Sequence, residues 1–501
     1  MHAIIVRTLA LLRSAAACSV VAAVPVVAGA QTTGTGDSST TLADTVVRRI
    51  DGTLPTGRIV QRVVSRADSS HRYALYLPSA FARDRQWPVV FVLDPRGRAL
   101  VPLARFQSAA ERLGYIVLSS YNTLSDGPAQ PNYSAMNAML DDVQRFLPVD
   151  PRRLYIAGFS GTARFAWQMS TQAPGTIAGI IGAGASVPGG RSWIQSNIGK
   201  SSPALFGTIG TLDPNYEEVR ELDAELDAIG TPHHVERFDG GHQWPPIDLS
   251  TRAVEWLELA AMQRGLAARN QGWIDSLYAA WRGRAARADS TGDAPGAARA
   301  YKLVAADFRG LVDVGPVEAR LAALRADPRV RRTDAAEAAA AERDARAATA
   351  LFAFVAELER APSPPSLDDA RKRLDLDKLR RDAARTDDST SAIASRRVLE
   401  RIFSHMSFYA PRELLDGRRY AHAAAALGIA RLIKPNDPSA CFSHARALAQ
   451  TGDKANALQA LECAAASKQV SLAAIEGDPL LAPLRSEARY QAVVSQLSSQ
   501  R

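Results

Sequence analysis

From residue 58 to about 265, short apolar runs of strand length alternate with stretches of helical spacing, and that alternation leaves few folds open. The runs fall at 59–64, 73–77, 88–93, 115–118, 154–157, 178–183, 204–209 and 234–238. Helical stretches are read at 102–113, 163–173, 216–229 and 249–259. The run 88–93 reads Pro-Val-Val-Phe-Val-Leu, with no polar residue, as a strand covered on both faces requires. Strands alternating with helices predict a mostly parallel sheet flanked by helices on both faces.

Beyond 265 the strand signals stop, and the chain becomes rich in Ala, Arg, Leu and Asp at helical spacing. An internal period is visible there. Tyr420, Ala423, Ala430 and Pro435 have the spacing of the second helix and exit of a tetratricopeptide repeat, and 34 residues on, Ala457 and Ala464 match Ala423 and Ala430. Ala445, Leu448 and Gly452 take the small, large and turn positions of the intervening helix, and Trp281, Ala285, Gly292, Ala297 and Tyr301 read as an earlier copy. On this resemblance 266–501 is expected to be a helical, tetratricopeptide-like domain that holds a protein or peptide partner. An Ala-rich helical bundle without true repeats is the plainer reading. The prolines within 361–366 are expected to break the array.

At 501 residues the chain exceeds what one core usually organises, so two or three domains are expected. Its excess of cations, 60 − 52 = +8, is interleaved with acids along the chain, which argues against a nucleic-acid partner. Three cysteines exclude a disulfide scaffold and any cysteine-built zinc module, and no His/Asp/Glu spacing suits a metal. No phosphate-binding glycine loop is present either, so no cofactor is expected. Residues 1–30, with Arg7 and Arg13 around apolar residues and a small-x-small ending at Ala28-Gly29-Ala30, read as a secretory signal. A lipoprotein site at Cys18 and an uncleaved anchor are the rival readings. The expected product is exported, periplasmic or extracellular, with no membrane span after cleavage. A polar stretch follows, and 31–57 is read as a flexible linker. Cys441 and Cys463, on paired helices of one repeat, are read either as a disulfide or as two buried thiols.

The chemistry lies in 58–265. Gly158-Phe159-Ser160-Gly161-Thr162 places a serine directly after a buried strand and before a helix, with small neighbours that allow a sharp turn. Taken alone, Ser160 reads equally as a helix N-cap. A nucleophilic serine needs a base and an acid that orients the base. Asp213 follows the run 204–209, and His242 follows the run 234–238, so both are expected at carboxyl ends of strands, where open α/β sheets bind ligands. His233 and His234 are rivals for the base, at the wrong end of that strand, and Asp239 and Asp248 are rivals for the acid.

The order Ser, Asp, His is that of the α/β hydrolases. Through Gly158-Phe159-Ser160-Gly161, Asp213 and Gly240-Gly241-His242-Gln243-Trp244-Pro245, the region resembles secreted α/β-hydrolase esterases, the polyhydroxybutyrate-depolymerase-like and feruloyl-esterase-like group. The resemblance implies Ser160 as nucleophile, His242 as base and Asp213 as its acid. It also implies an oxyanion hole from the N–H of Gly161 and, because Pro95 has none, that of Arg96. The chain departs from the group at Asp94-Pro95, where many relatives carry His-Gly. Trp193, Trp244 and Tyr121 are placed in loops on the active face, as an aromatic wall for substrate. Equally, Trp244 reads as a brace for the His242 loop.

The segment 184–203 is too short for a large lid, which suits a small, bulky or polymeric ester. Three function classes follow: a secreted serine esterase with a helical interaction module, a serine peptidase of prolyl-oligopeptidase type, and a non-catalytic binding scaffold. Catalysis is expected to separate from recognition near 265.

Overall fold

In a computed structural model of the chain, residues 48–499 are described, apart from 173, 200, 201, 388 and 468. The expected signal at 1–30, and 31–47 of the expected linker, lie outside the described residues. Nine strands form one sheet: β1 (Arg48–Arg49), β2 (Ile59–Val64), β3 (Arg72–Tyr76), β4 (Trp87–Leu93), β5 (Ile116–Ser120), β6 (Val149–Phe159), β7 (Gly179–Ala183), β8 (Ala204–Gly210) and β9 (His233–Phe238). Their order is β1-β2-β3-β5-β4-β6-β7-β8-β9. Strands β4 to β9 pair in parallel, and β3 is antiparallel to both β2 and β5. Within the stretch read as a linker, Arg48 and Arg49 pair in parallel with Val63 and Val64, and Ile50 is fully buried.

Six helices connect and cover the strands: α1 (Leu100–Leu113), α2 (Gln130–Phe146), α3 (Gly161–Gln172), α4 (Gly190–Asn197), α5 (Tyr216–Ile229) and α6 (Ile247–Gln263). Helices α2 and α4 are absent from the sequence reading. All seven residues of β4 are buried. Val90 and Val92 pack into one apolar layer with α1 and α6, whereas Val89, Phe91 and Leu93 pack into the other with α2, α3 and α5. Both faces of the sheet are therefore closed to water, as the unbroken apolar run requires. The chain leaves β4 toward β5 on one side and then crosses to β6 on the other. The carboxyl ends of β4 and β6 consequently flank the reversal of strand order, where such sheets leave a crevice.

The described residues fall into two compact units, 48–334 and 335–499. The first carries the sheet and also α7 (Gln271–Ser290), α8 (Ala294–Phe308) and α9 (Gly315–Ala326). Ile274, Leu277, Trp281 and Phe308 from these helices join the same apolar layer as Phe206 and Trp256. A buried polar clasp ties them further. His234 Nδ1 lies 2.8 Å from Asp307 Oδ2, and Trp256 Nε1 donates to Asp307 Oδ1 at 2.7 Å. The His234 ring stacks on Phe206 and meets Trp281 edge-on. Burial alone would lower the His234 pKa, but Asp307 and Glu236 outweigh it and raise it to about 9. The apolar layer thus continues past the change of composition near 265.

The second unit is helical, with α10 (Pro328–Arg360) entering it, then α11 (Leu367–Arg373), α12 (Leu376–Ala383) and α13 (Thr390–Ser404). A π-helical turn at His405–Tyr409 follows, then α14 (Ala410–Asp416), α15 (Tyr420–Ile433), α16 (Pro438–Thr451), α17 (Lys454–Ala466), α18 (Leu472–Gly477), a 3-10 turn at Pro479–Leu484 and α19 (Ala488–Ser498). The chain is non-helical at 361–366, as its prolines require, and Ser366 caps α11 with a reciprocal bond from Asp369. The small positions read from the period, Ala423, Ala430, Ala445, Ala457 and Ala464, are all fully buried. Gly452 takes a left-handed conformation (φ 85°) between α16 and α17. Cys441 and Cys463 form a disulfide across that helix pair.

Two outcomes follow from the clasp. A chain ending after 265 leaves the Phe206–Trp256 face uncovered and should aggregate or melt early, whereas one ending after 334 should keep a cooperative transition; equal melting of the two, followed by calorimetry, would disprove shared packing. The second concerns pH. A histidine raised from about 6.5 to about 9 adds stability that is fully present below about pH 6.5 and is lost as pH climbs through 9. The melting temperature should therefore fall between pH 6.5 and 9.5, with a shallower fall in His234→Gln, and an unchanged slope in that variant would exclude His234 as the source.

Candidate active site

The turn between β6 and α3 sets the geometry. Ser160 has φ 56°, a left-handed conformation that costs a non-glycine residue about 1–3 kcal/mol. Its N–H donates to the Ala183 carbonyl of β7 at 2.8 Å, and its carbonyl accepts from Ala163 at 3.0 Å in the first turn of α3. The turn is so tight that a Cβ on Gly158 would fall 2.6 Å from the Ala163 nitrogen, and one on Gly161 would fall 2.6 Å from Ser125 Cβ. Only glycine serves at either position. Thr162 stands at the fifth position of the serine motif, where such turns usually carry Gly or Ala, and it tightens the turn. Its buried hydroxyl donates to the Leu93 carbonyl at the end of β4 and accepts from the Phe159 N–H at 3.1 Å.

Ser160, His242 and Asp213 are brought together. Ser160 Oγ lies 2.9 Å from His242 Nε2, and His242 Nδ1 lies 2.9 Å from Asp213 Oδ2. The Asp213 side chain is buried, whereas that of His242 is one-third exposed (33%), so the open end of the chain faces solvent. The second Asp213 oxygen accepts the Asn215 N–H at 2.8 Å, and the Asn215 amide donates to the Gly184 carbonyl at 2.8 Å. Further out, Arg164 donates to Glu218 at 2.7 Å and to the Ser186 carbonyl at 3.2 Å, and Glu218 also accepts the Ser186 N–H. These bonds hold the loop after β7 against the acid. The rival histidines are engaged elsewhere: His234 with Asp307, and His233 with the Thr231 carbonyl at 2.7 Å. Asp248 pairs with Arg252 at 2.8 Å.

The turn after β4 differs from the expectation for the oxyanion hole. The Arg96 N–H donates to Asp94 Oδ1 at 2.9 Å, so it is spent within its own turn. Arg98 N–H also reaches Asp94 Oδ1, and Gly97 N–H donates to the Asp94 carbonyl. The N–H of Gly161, at the start of α3, meets no acceptor among the described residues. Asp94 is fully buried and also accepts from the Arg98 guanidinium (3.0 Å) and from Trp244 Nε1 (2.9 Å). Burial would raise the Asp94 carboxyl, but these four donors outweigh it and hold its pKa below the ordinary value.

The expected aromatic wall does not form. Trp244 is only 3% exposed, bonded to Asp94 and packed on Phe159 at 5.6 Å, so it braces the His242 loop and offers no face to a substrate. Trp193 sits on α4 rather than in a loop and packs edge-on against Trp167 at 6.2 Å. Tyr121 is half-buried, with its hydroxyl donated to the Gln61 carbonyl at 2.8 Å. Sequence reading did not find Asp94, Thr162 or Asn215 as site residues. Asp94 and Thr162 carried a signal, each as a point where the chain departs from the resembled pattern, and Asn215 carried none.

No protein-family model and no curated protein matches this chain. Solved structures similar to its sheet-bearing part are esterases and serine hydrolases. A thermostable esterase is 19% identical, with 39% of this chain and 61% of that chain covered and a TM-score of 0.32. This chain therefore spans under two-thirds of that esterase's length. FphF, a fluorophosphonate-binding serine hydrolase of Staphylococcus aureus, is 16% identical over 40% of this chain and 99% of its own, with a TM-score of 0.34. A ferulic acid esterase is likewise 16% identical, over 40% and 98% of the two chains, with a TM-score of 0.33.

Proposed function

We propose that the chain is a serine hydrolase of carboxylic esters. The observation that carries the reading is the continuous hydrogen-bonded line Ser160–His242–Asp213, with the serine held in a strained turn at the crevice of a parallel sheet. Ser160 Oγ attacks the ester carbonyl carbon while its proton passes to His242 Nε2. The buried Asp213 holds the ring tautomer that bears a proton on Nδ1 and stabilises the imidazolium as it forms. The carbonyl oxygen gains charge near the Gly161 N–H. Collapse breaks the ester C–O bond, and the leaving alkoxide takes the proton from Nε2, which leaves an acyl-Ser160. Water then gives a proton to Nε2 and attacks the acyl carbon, and the serine departs with that proton as the carboxylic acid is released.

The helical second unit is assigned a tetratricopeptide-like role in holding a protein or peptide. Support comes from buried alanines at the repeat spacing and the left-handed Gly452 between paired helices. Export is assigned from the signal-like leader, and the Cys441–Cys463 disulfide suits an oxidising compartment.

Ser160→Ala should abolish fluorophosphonate labelling and reduce p-nitrophenyl ester hydrolysis by roughly ten-thousand-fold or more, with the circular dichroism unchanged. Labelling that persists in this variant removes Ser160 from the chemistry, and a preference for aminoacyl amides over esters would move the enzyme to the peptidases. Asn215 is a positioning residue in this scheme, since its N–H holds one Asp213 oxygen and its side-chain amide holds Gly184, whose Cα side lies against the other. Asn215→Pro would remove that donor but strain the turn; Asn215→Ala keeps it and removes only the tie to Gly184. The alanine variant should lower kcat by roughly tenfold through misplacement of Asp213, with KM little changed. A rise in KM at constant kcat would assign Asn215 to binding instead.

A further inference from the structure

In the first unit, four large apolar side chains are more than about a third exposed: Leu100 (36%), Val101 (41%), Leu124 (50%) and Ile247 (52%). All four lie on the connections that leave the carboxyl ends of β4, β5 and β9. Those connections surround the turn that carries Ser160. Leu124 precedes Ser125, whose side chain abuts Gly161, and the Ser125 N–H donates to the Pro95 carbonyl in the turn after β4. Leu100 and Val101 open α1, and Ile247 opens α6. The two helices run side by side in the same direction, joined by Ser108–Thr251 at 3.3 Å and Arg112–Glu255 at 2.6 Å. Their leading turns are tied together by Trp244 and Arg98 through Asp94.

Leu124 is also held firmly despite its exposure. Asn132, itself buried, accepts the Leu124 N–H at 2.8 Å and donates to the Leu124 carbonyl at 2.7 Å. A leucine clamped on both sides of its backbone and turned to water is a preformed apolar contact rather than a loose loop. The hydrogen-bonded line through His242 ends at Ser160, in the turn that these connections surround.

We infer that Leu100, Val101, Leu124 and Ile247 form an apolar rim that binds the hydrocarbon part of the ester substrate, so the enzyme favours medium-chain acyl esters over acetyl esters. The inference rests on the serine-hydrolase reading of Ser160.

The test compares p-nitrophenyl octanoate with p-nitrophenyl acetate in the full chain, using Leu124→Ser and the double variant Val101→Ser/Ile247→Ser. These side chains are about half exposed and outside the apolar layers, so the fold should survive their replacement. The octanoate-to-acetate ratio of kcat/KM should fall roughly tenfold in each variant, the usual worth of lost hydrophobic contact in a specificity pocket. An unaltered ratio, with fluorophosphonate labelling intact, overturns the rim alone. So does an unaltered ratio accompanied by a change in sedimentation, which would make the patch a self-association surface. A wild-type chain that does not label at all overturns the serine-hydrolase reading, and this inference with it.

Discussion

A sheet covered on both faces has nowhere but the ends of its strands for polar chemistry. Strand β4 shows the constraint most clearly, since its alternate residues serve two separate apolar layers and none reaches water. Every ionisable group at the site accordingly stands on a connection: Asp94 after β4, Ser160 after β6, Asp213 after β8 and His242 after β9. The order of strands then decides which connections meet, because β4 and β6 are neighbours across the point where the chain reverses direction through the sheet.

Loops brought together in this way need a reason to stay. Asp94 supplies much of it. A buried carboxylate without partners would be costly, so its position depends on Arg98, Trp244 and two amides of its own turn, and those donors in turn fix the approach to α1 and the loop that carries His242. Thr162 does the same between β4 and the serine turn, and the Arg164–Glu218 pair does so for the loop after β7. The arrangement of Ser160, His242 and Asp213 is thus a consequence of polar satisfaction around it. Trp244 illustrates the cost of reading a residue by type alone: an aromatic two residues from His242 suggests a substrate wall, but its indole N–H is needed by Asp94, and the ring is buried to deliver it.

The helices after 265 show a second limit. Their composition differs from that of the alternating region, and composition suggested a boundary. Burial followed a different rule, because the outer face of the sheet layer, with Phe206 and Trp256, needed a cover that Trp281 and Phe308 provide. The His234–Asp307 pair joins residues 73 positions apart, and nothing local in either segment announces the other. Breaking such a buried pair on one side typically costs about 3–5 kcal/mol, comparable with a large share of a domain's stability.

Local pattern alone determined the eight main strands of the sheet, the long helices that follow β4, β6, β8 and β9, and the helical character of the remainder, because apolar period and glycine or proline punctuation act over a few residues. It also marked Ser160 by the small-residue turn after a buried strand and Asp213 and His242 by their place after strand-length runs, whereas their meeting at 2.9 Å is a matter of tertiary structure. Helix α2 is missing from that reading although it carries the same kind of signal, with Met136, Met139, Leu140 and Val143 at helical spacing and Pro131 in its first turn, where proline is tolerated. Tertiary structure alone decided that the Arg96 N–H turns to Asp94, that Trp244 is a brace, that Thr162 strengthens the serine turn and that Cys441 pairs with Cys463. Each of these depends on which distant group fills a hydrogen bond or a gap in packing, and the spacing of residues along a chain carries no record of that.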